Sequence, residues 1–475
     1  SGSGTLKGGS KGDTLKGDSG EAMTIEGGAG DDTITGGSAV DTINGGAGDD
    51  TINSSAGKDV IDGGAGKDGI TVGNALQTID GGADNDTIDA ATNLQFGQSI
   101  KGGAGTDILK VTTDNITSGA GSVVSEFETL DYNDVDGTVD LDNFTNNTFT
   151  TVDVGAAAAM QVDSIDSEVI LLSSNLGGAL ALNVEGATSS NSSTKSISLK
   201  LSKATILDTG SLTTITNTGT INIESDESDT ASGIVHVLDL AADKATKLVI
   251  TGDTGLDLTS TGGSQDIADV INVDASGLVL GLSTYTGIKY TATFDTIANG
   301  TTITGSNGVD TIITKKNTDD TVSLGLGNDD FTYLGGKDTV TGGGGNDTFD
   351  VDFTGTKAKH LVITDANKGD KIDLATGGNT GDFMKNGTLN TTLGAAVTLS
   401  AGSDETLDNY LAAASTGDGS STSILKHFQV GGNTYLISDN SSGSSFVDGT
   451  DGILEFTGLV TIKGATVSSE IYTLV

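Results

Sequence analysis

A repeat of nine residues constrains the fold of this chain more than any other feature of its sequence. Eight isoleucines follow one another at a spacing of nine: Ile25, Ile34, Ile43, Ile52, Ile61, Ile70, Ile79 and Ile88. Ile100 and Leu109 continue the series after an insertion of three residues, 90–92. A fixed period of this kind is typical of repeat proteins, in which stacked units bury one continuous core.

Each repeat unit combines a glycine-rich turn with a short strand. An aspartate stands two residues before most of the apolar positions, after a tetrad such as 27–30 or 45–48, which gives the unit G-G-x-G-x-D-x-U-x with U a large aliphatic residue. Glycine adopts positive φ angles and leaves its carbonyl accessible, and calcium is bound by about six to eight oxygens. The unit therefore predicts a calcium-binding turn and an inward-pointing U side chain. Two units make one coil of 18 residues in a parallel β-roll.

Alternate loops lie on the same edge of such a roll, so the two edges can be compared. The loops that begin at residues 8, 27, 45, 63, 81 and 102, here called the first edge, keep nearly all glycines and aspartates. The second edge, at 18–23, 36–41, 54–59, 72–77 and 93–98, has lost glycines throughout and its aspartate in three of five loops. We predict calcium between successive first-edge loops and weak or no binding on the second edge. The predicted ligands are Asp13, Gly28, Gly30, Asp32, Gly46, Gly48, Asp50, Gly64, Gly66, Asp68, Gly82, Asp86, Gly103, Gly105 and Asp107.

A second array of the same unit occupies residues 305–350. Its predicted inward positions are Ile312, Val322, Phe331, Val340 and Phe349. The predicted metal ligands are Asp310, Asp329, Asp338, Gly343, Gly345 and Asp347, of which Asp310, Asp329 and Asp347 should share one edge. A flexible linker with accidental periodicity is disfavoured, because the eight isoleucines stay in register.

The remaining segments are predicted from shorter patterns. Between the arrays, β-like runs at 129–132, 168–172, 179–184, 196–201, 221–223, 247–251 and 288–294 predict a continuing solenoid, with an independent β-sandwich as the alternative. Beyond the second array, residues 360–374 resemble a capping strand pair, Ser403 begins a helix, and strands follow at 428–430, 434–437 and 453–456. The fold class is all-β: a calcium-bound β-roll (1–110), a strand-rich middle (111–304), a second roll (305–356) and a small α+β cap with a secretion-signal region (357–475).

The charge of the chain restricts its partners. It carries 65 acidic and 23 basic residues, all of the latter lysine, for a net charge of −42. Such a chain repels nucleic acid and anionic lipid and attracts cations. It has no cysteine, so calcium is the expected replacement for disulfides outside the cell, and calcium should drive folding by relieving self-repulsion. Neither a membrane-spanning apolar run nor an N-terminal signal peptide is recognised.

No combination of residues predicts catalysis, so the chain is not expected to be an enzyme. The three histidines, His236, His360 and His427, form no H-E-x-x-H motif. Residues 8–12 match G-x-S-x-G formally but lie inside a predicted calcium loop. Paired acids such as Asp49 and Asp50 fit a metal ligand with a solvated neighbour better than an acid–base pair, because adjacent strand residues face opposite ways.

The nonapeptide array resembles that of the RTX proteins, which type I exporters secrete. The motif covers 8–110 and 305–350, about a third of the chain. The resemblance implies export of the unfolded chain from a low-calcium cytoplasm, an uncleaved C-terminal secretion signal, and calcium-triggered folding outside the cell.

A narrower resemblance concerns the C-terminal region, which is similar to that of bacterial RTX-type surface-layer proteins. The similar runs are 362–365, 369–374, 394–399, 417–420 and 457–461, together with 127–130 in the middle segment. This resemblance implies a structural subunit that assembles with itself into a calcium-dependent two-dimensional lattice on a Gram-negative cell. Attachment to lipopolysaccharide would use an N-terminal region that is not seen here. An RTX adhesin or extracellular fibre that binds host or biofilm partners is the alternative.

Overall fold

The computed structural model describes most of the chain. The described residues are 4–91, 94–112, 116–132, 137–155, 159–176, 178–185, 195–202, 213–227, 233–242, 244–259, 267, 269–292, 300–314, 318–351, 358–374, 396–399, 403–415, 424–439, 446–447, 451–462 and 471–474. They form two compact units, a first unit that ends at residue 218 and a second unit that begins at residue 219. Within them no helix is long and apolar enough to cross a membrane.

The first unit is a parallel β-solenoid. Its sheet A consists of the strands Gly4–Lys7, Met23–Ala29, Thr42–Ala47, Val60–Ala65, Thr78–Ala83, Ser99–Ala104 and Val124–Ser125, in that order. Its sheet B consists of Thr14–Lys16, Thr33–Thr35, Thr51–Asn53, Gly69–Thr71, Thr87–Ala91, Ile108–Val111, Thr129–Asp131, Thr151–Val154, Val169–Leu172 and Ser196–Ser202. First-edge loops lead from sheet A to sheet B, and second-edge loops lead back.

Three smaller features complete this unit. A further parallel sheet contains Gly137–Asp140, Ala159–Ile165, Ala179–Val184 and Thr213–Thr216. Ser118–Gly121 is a single α-helical turn, and Leu141–Asn143 is a 3-10 turn capped by the Asp140 side chain.

The nonapeptide isoleucines form two ladders in the core, as predicted. Ile25, Ile43 and Ile61 stack in register in sheet A, and Ile34 stacks on Ile52 in sheet B. All eight are at most 2% exposed. Because the period matches one strand and one turn, every unit places its aliphatic side chain at the same depth.

The solenoid prediction for the middle segment is confirmed, and the β-sandwich alternative is wrong. Leu109 pairs in parallel with Leu130, and the same ladder continues to Val152, Ile170 and Leu199. A sandwich would need antiparallel neighbours. Here each strand instead places alternate apolar side chains on the ladder below, so the coil persists after the glycines and aspartates of the loops have disappeared.

The second unit is also a parallel solenoid. Its sheet C contains Thr220–Asp226, Lys247–Gly252, Asn272–Leu278, Thr302–Thr304, Thr321–Leu326, Thr339–Gly344 and Leu361–Ile363. Its sheet D contains Val235–Val237, Gly255–Asp257, Thr286–Thr291, Val309–Ile313, Asp330–Tyr333, Thr348–Val351 and Lys371–Asp373. Leu240–Ala242 is a further short strand of this part of the chain. The five predicted inward side chains of the second array are at most 1% exposed.

The C-terminal region closes the second unit with antiparallel strands. Gly452–Phe456 pairs with Leu361–Ile363, and Asn433–Asp439 and Ile424–Val430 follow in antiparallel order. Ile471–Thr473 closes sheet D against Lys371–Asp373. Strands are therefore present at all three predicted positions.

Two details of the predicted cap are wrong. The strands within 360–374 do not pair with each other: each extends a different sheet, because the loop 365–370 between them completes one more coil. The helix Leu407–Ala414 begins after Thr406, not Ser403, and the Thr406 hydroxyl accepts a hydrogen bond from the Asn409 N–H at 3.3 Å. Both residues are good caps, but this start places Leu411 against the buried apolar cluster of the cap.

Two glycine substitutions should affect stability in opposite directions. Gly46 has a φ of 115°, and a Cβ there would collide with the Gly28 carbonyl of the preceding coil. Gly46→Ala should therefore lower the free energy of unfolding by about 3 kcal/mol. Gly69 lies in a strand, where the nearest atom to an added Cβ is 3.9 Å away. Gly69→Thr should raise the free energy of unfolding by about 0.5–1 kcal/mol. Urea unfolding in saturating calcium measures both changes. Equal destabilisation by Gly46→Ala and Gly69→Thr would contradict the different surroundings of the two glycines in the structure.

Candidate metal centres

The first-edge loops are linked by one hydrogen bond repeated from coil to coil. One carboxylate oxygen of each aspartate, Oδ1, accepts the backbone N–H of the aspartate in the preceding loop. Asp50 Oδ1 accepts from Asp32 N at 2.7 Å, and Asp68 Oδ1 accepts from Asp50 N at 2.8 Å. The series runs from Asp13 to Asp107, whose own N–H donates to Glu128. These hydrogen bonds hold each carboxylate between its own loop and the preceding one.

The other oxygen of these carboxylates has no protein donor. Five Oδ2 atoms of the first edge are buried and accept no hydrogen bond: those of Asp32, Asp50, Asp68, Asp86 and Asp107. The five side chains are at most 2% exposed. Buried charged oxygens are normally paired, so a row of them along one edge indicates a missing positive charge.

A carbonyl oxygen lies beside each of these atoms. A Cβ on Gly27 would collide with Asp32 Oδ2 and with the carbonyl oxygen of Gly45 in the next coil. The same two neighbours surround the first glycine of the loops at Gly45, Gly63 and Gly81. The absence of a side chain at this position therefore brings a carboxylate and a carbonyl of successive loops together.

The predicted ligands include the second and fourth glycines of each tetrad but not the first glycine, whose carbonyl lies beside an unpaired Oδ2 in the structure. The structure gives the second glycine a backbone role, because Gly28, Gly46 and Gly64 have φ near 115° and approach the preceding coil closely. The signal was available, since the first glycine is present in every intact first-edge loop. The ligand assignments as a set remain a prediction.

The oxygens available suit a hard cation. No group of three or more Asp, Glu, His or Cys side chains that could hold a metal ion occurs among the described residues. A site on this edge must therefore combine carboxylates with backbone carbonyls from two loops, which is the ligand chemistry of calcium. The donor set fits the predicted ion.

The second edge is satisfied without an ion. Asp41 Oδ2 accepts the Gly37 N–H at 2.7 Å. Asp59 Oδ2 accepts the side-chain amide of Gln77 at 3.0 Å. The predicted difference between the two edges therefore appears in the structure as a difference in hydrogen bonding.

The second array shows the same contrast. Asp329 and Asp347 stack on one edge with Asp310, as predicted, and their Oδ2 atoms are buried without a hydrogen bond. Asp310 Oδ2 instead accepts the Ser306 N–H at 2.7 Å. Asp338 lies on the other edge, where the Thr314 hydroxyl donates to it at 2.8 Å.

The protein closes the beginning of the first row and the end of the second. Asp13, in the first loop, accepts the Gly9 N–H through Oδ2 at 2.7 Å. The loop 365–370, which lies on the edge of Asp347, ends in Asp370, whose Oδ1 accepts the Asp347 N–H at 3.0 Å and whose Oδ2 accepts the Asn367 N–H. Unpaired oxygens are therefore found from Asp32 to Asp107 in the first row and at Asp329 and Asp347 in the second.

Comparison with known proteins agrees with this geometry. The family model of the RTX calcium-binding nonapeptide repeat, in four copies, matches residues 24–52, 35–70, 78–92 and 334–352. The chain carries RTX calcium-binding repeats. These repeats bind multiple calcium ions in each array. No curated protein matches the chain significantly.

The RTX carboxylates are strained electrostatically when they are ionised without calcium. Burial raises the pKa of Asp68 to about 6, of Asp86 to about 7 and of Asp329 to about 8. Neighbouring aspartates of the same row raise these pKa values further, and the backbone hydrogen bond to Oδ1 lowers them. The folded, calcium-free chain therefore binds protons that the unfolded chain releases.

This linkage predicts a pH dependence for the calcium-free protein. Because these pKa values are raised from 3.8 in the folded state, their contribution to stability is fully present below about pH 4 and is lost as the pH rises through about 6 to 8. Protein stripped on a chelating resin should thus melt at a higher temperature at about pH 5.5 than at about pH 8.5. Calcium affinity should change oppositely, because the ion displaces protons. Thermal unfolding followed by circular dichroism measures the melting temperature, and calcium titration measures the affinity. A melting temperature of the calcium-free protein that rises with pH would contradict the assignment of these buried aspartates to calcium sites.

The three histidines and the loop 8–12 are the other residues considered for catalysis. His236 is buried, with Nδ1 3.2 Å from Ser225 Oγ, and His360 Nε2 lies 2.9 Å from Glu455. Burial lowers the pKa of His427. Residues 8–12 form a first-edge loop between two strands rather than a strand–turn–helix. RTX β-roll repeats are typically structural elements.

Proposed function

We propose that this chain is a structural subunit of a calcium-dependent, self-assembling bacterial surface layer. RTX repeat proteins are generally secreted, extracellular proteins, and a surface layer lies outside the cell. The chain would be exported unfolded by a type I system and would fold when it meets calcium outside a Gram-negative cell.

One observation carries the proposal: the unpaired carboxylate oxygens face inward, between coils. Seven such atoms occur in the two arrays, five on the first edge and two in the second array. Each is buried beneath its own loop, so an ion there would join coils rather than meet a substrate. Calcium in this position stiffens each RTX array, which is what a coat requires and what a catalytic site does not.

The surface of the second unit supports self-association. Val279, Leu282 and Leu326 are 59%, 55% and 56% exposed. They flank the loop 305–310, since Asn307 accepts the Leu280 N–H at 2.7 Å and Leu326 N donates to Ser306 O at 3.2 Å. Exposed apolar side chains gathered at one place mark interaction sites more often than scattered ones do. We propose that this patch, which we call the 279–326 patch, contacts another copy of the chain.

The proposed partners follow from this role. The subunit would associate with copies of itself in two dimensions, with calcium also bridging acidic neighbours whose net charge is −42. Attachment to lipopolysaccharide would use an N-terminal region that is not seen here. Nucleic acid is an unfavourable partner for so acidic a chain.

Electron microscopy of the purified protein in millimolar calcium tests the proposal. Ordered sheets are the expected result, and Leu282→Ser with Leu326→Ser should prevent them while leaving the calcium-bound fold intact by circular dichroism. Thr33→Ser with Thr51→Ser, at exposed positions of the other unit, serves as the control. One-dimensional fibres would favour the adhesin or fibre alternative, and dispersed monomers would overturn self-assembly.

A further inference from the structure

Two glutamines occupy the aspartate position of consecutive second-edge loops. Gln77 and Gln98 are the sixth residues of the loops 72–77 and 93–98, and they are 1% and 7% exposed. A buried amide needs partners for two N–H donors and one oxygen. The partners of these amides show what they do.

The Gln77 amide binds the preceding loop through its nitrogen. Nε2 donates to Asp59 Oδ2 at 3.0 Å and to the Gly57 carbonyl oxygen at 3.3 Å. One acceptor is thus a carboxylate and the other a backbone carbonyl, both from the loop one coil earlier. These are the two kinds of oxygen that an RTX loop offers to calcium.

The Gln77 oxygen binds its own loop and the preceding one. Oε1 accepts the Gly73 N–H at 2.9 Å and the Ser54 hydroxyl at 3.0 Å. The amide therefore connects two successive loops, with both ends hydrogen-bonded. Its Nε2 places partial positive charge against the carboxylate of the earlier loop, which is the electrostatic task of an ion between coils.

The first edge of the same coils shows what happens without such an amide. Asp50 and Asp68 are the counterparts of Asp59, and nothing in the protein donates to their buried Oδ2 atoms. The backbone bond to Oδ1 is the same on both edges, since Asp41 N donates to Asp59 at 2.8 Å. The edges differ in the partner of the second oxygen.

The arrangement recurs one coil later. Gln98 Nε2 donates to the Ala75 carbonyl at 3.0 Å, and its Oε1 accepts the Gln95 N–H at 2.8 Å. Ala75 is the fourth residue of its loop, as Gly57 is of the loop before. The same glutamine atom therefore contacts the same loop position in two successive coils.

We infer that Gln77 and Gln98 are amide clamps that take the place of calcium ions on the second edge. In the folded array they join the loops 54–59, 72–77 and 93–98 without an ion. Calcium dependence is thereby confined to the first edge of these coils. The inference concerns the fold of the RTX array and does not depend on the surface-layer role.

Gln77→Glu tests the inference directly, because it replaces the amide nitrogen by an oxygen at nearly constant volume. Two carboxylates and the Gly57 carbonyl would then face one another. The expected result is one additional calcium ion per chain, measured by equilibrium dialysis against calcium and elemental analysis. The melting temperature without calcium should fall below that of the wild type, and calcium should restore it.

Two further variants keep the test decisive. Gln77→Leu removes the amide without adding charge, so the melting temperature should fall both with and without calcium, at unchanged calcium stoichiometry. Asp59→Asn can accept from only one of the Asp41 N–H and the Gln77 amide, so it should destabilise the protein but leave the calcium stoichiometry of the wild type unchanged. A loss of one bound ion in Asp59→Asn would overturn the inference, as would a Gln77→Glu variant that binds no more calcium than the wild type. Neither outcome bears on whether copies of the chain assemble into two-dimensional sheets.

Discussion

Removing calcium at about pH 8 should unfold both RTX arrays, with loss of β-sheet circular dichroism and a large increase in the radius of gyration. Seven buried carboxylate oxygens would then have no partner. Each unpaired buried charged acceptor costs at least about 3 kcal/mol, so together they exceed the ~5–15 kcal/mol that stabilises an ordinary domain. The net charge of −42 adds repulsion to the compact state.

The measurement is small-angle scattering and far-ultraviolet circular dichroism with and without chelator. Magnesium at the same concentration is the control, because it is smaller, demands octahedral geometry and gives up its water reluctantly, and it should not restore the fold. If the chelated protein keeps its compactness and full β-sheet signal at about pH 8, the assignment of the unpaired oxygens to calcium is wrong.

Neutralising two first-edge carboxylates should make the fold of the first array less dependent on calcium. In Asp50→Asn with Asp68→Asn, an oxygen can still accept the backbone N–H of the preceding loop, while the buried charge disappears. The variant should bind fewer calcium ions than the wild type. Without calcium it should melt at a higher temperature, since burial of these ionised groups is unfavourable and raises the pKa of both. Asp50→Ala with Asp68→Ala should weaken calcium binding and also lose the hydrogen bonds.

The matched control lies on the second edge of the same coils. Asp41 accepts the Met23 N–H through Oδ1 and the Gly37 N–H through Oδ2. Asp41→Asn should therefore leave the number of bound ions unchanged and destabilise the protein at every calcium concentration, because an amide cannot accept on both sides. Equal losses of calcium from the two variants would show that both edges bind the ion.

The sequence predicted most of the array and less of the cap. The spacing of Ile25, Ile43 and Ile61, together with a glycine-rich turn in every unit, predicted the stacked coils, because two strands and two turns return the chain to the same depth after 18 residues. The position of the helix start and the pairing of 361–363 and 371–373 did not follow, since caps and strand partners depend on neighbours distant in the chain. Those neighbours are Gly452–Phe456 and Ile471–Thr473, which carry no repeat.

The sequence by itself determined the coil length, the apolar ladder and which edge keeps its calcium-binding loops, since these are properties of a unit repeated in register. Only the tertiary structure decided which oxygens are left unpaired. Asp32 and Asp41 occupy the same position in their repeats, yet one has a buried oxygen without a donor and the other accepts the Gly37 N–H. That difference arises when loops 18 residues apart are stacked, because a carboxylate is paired by groups of its own loop and of the adjacent coils.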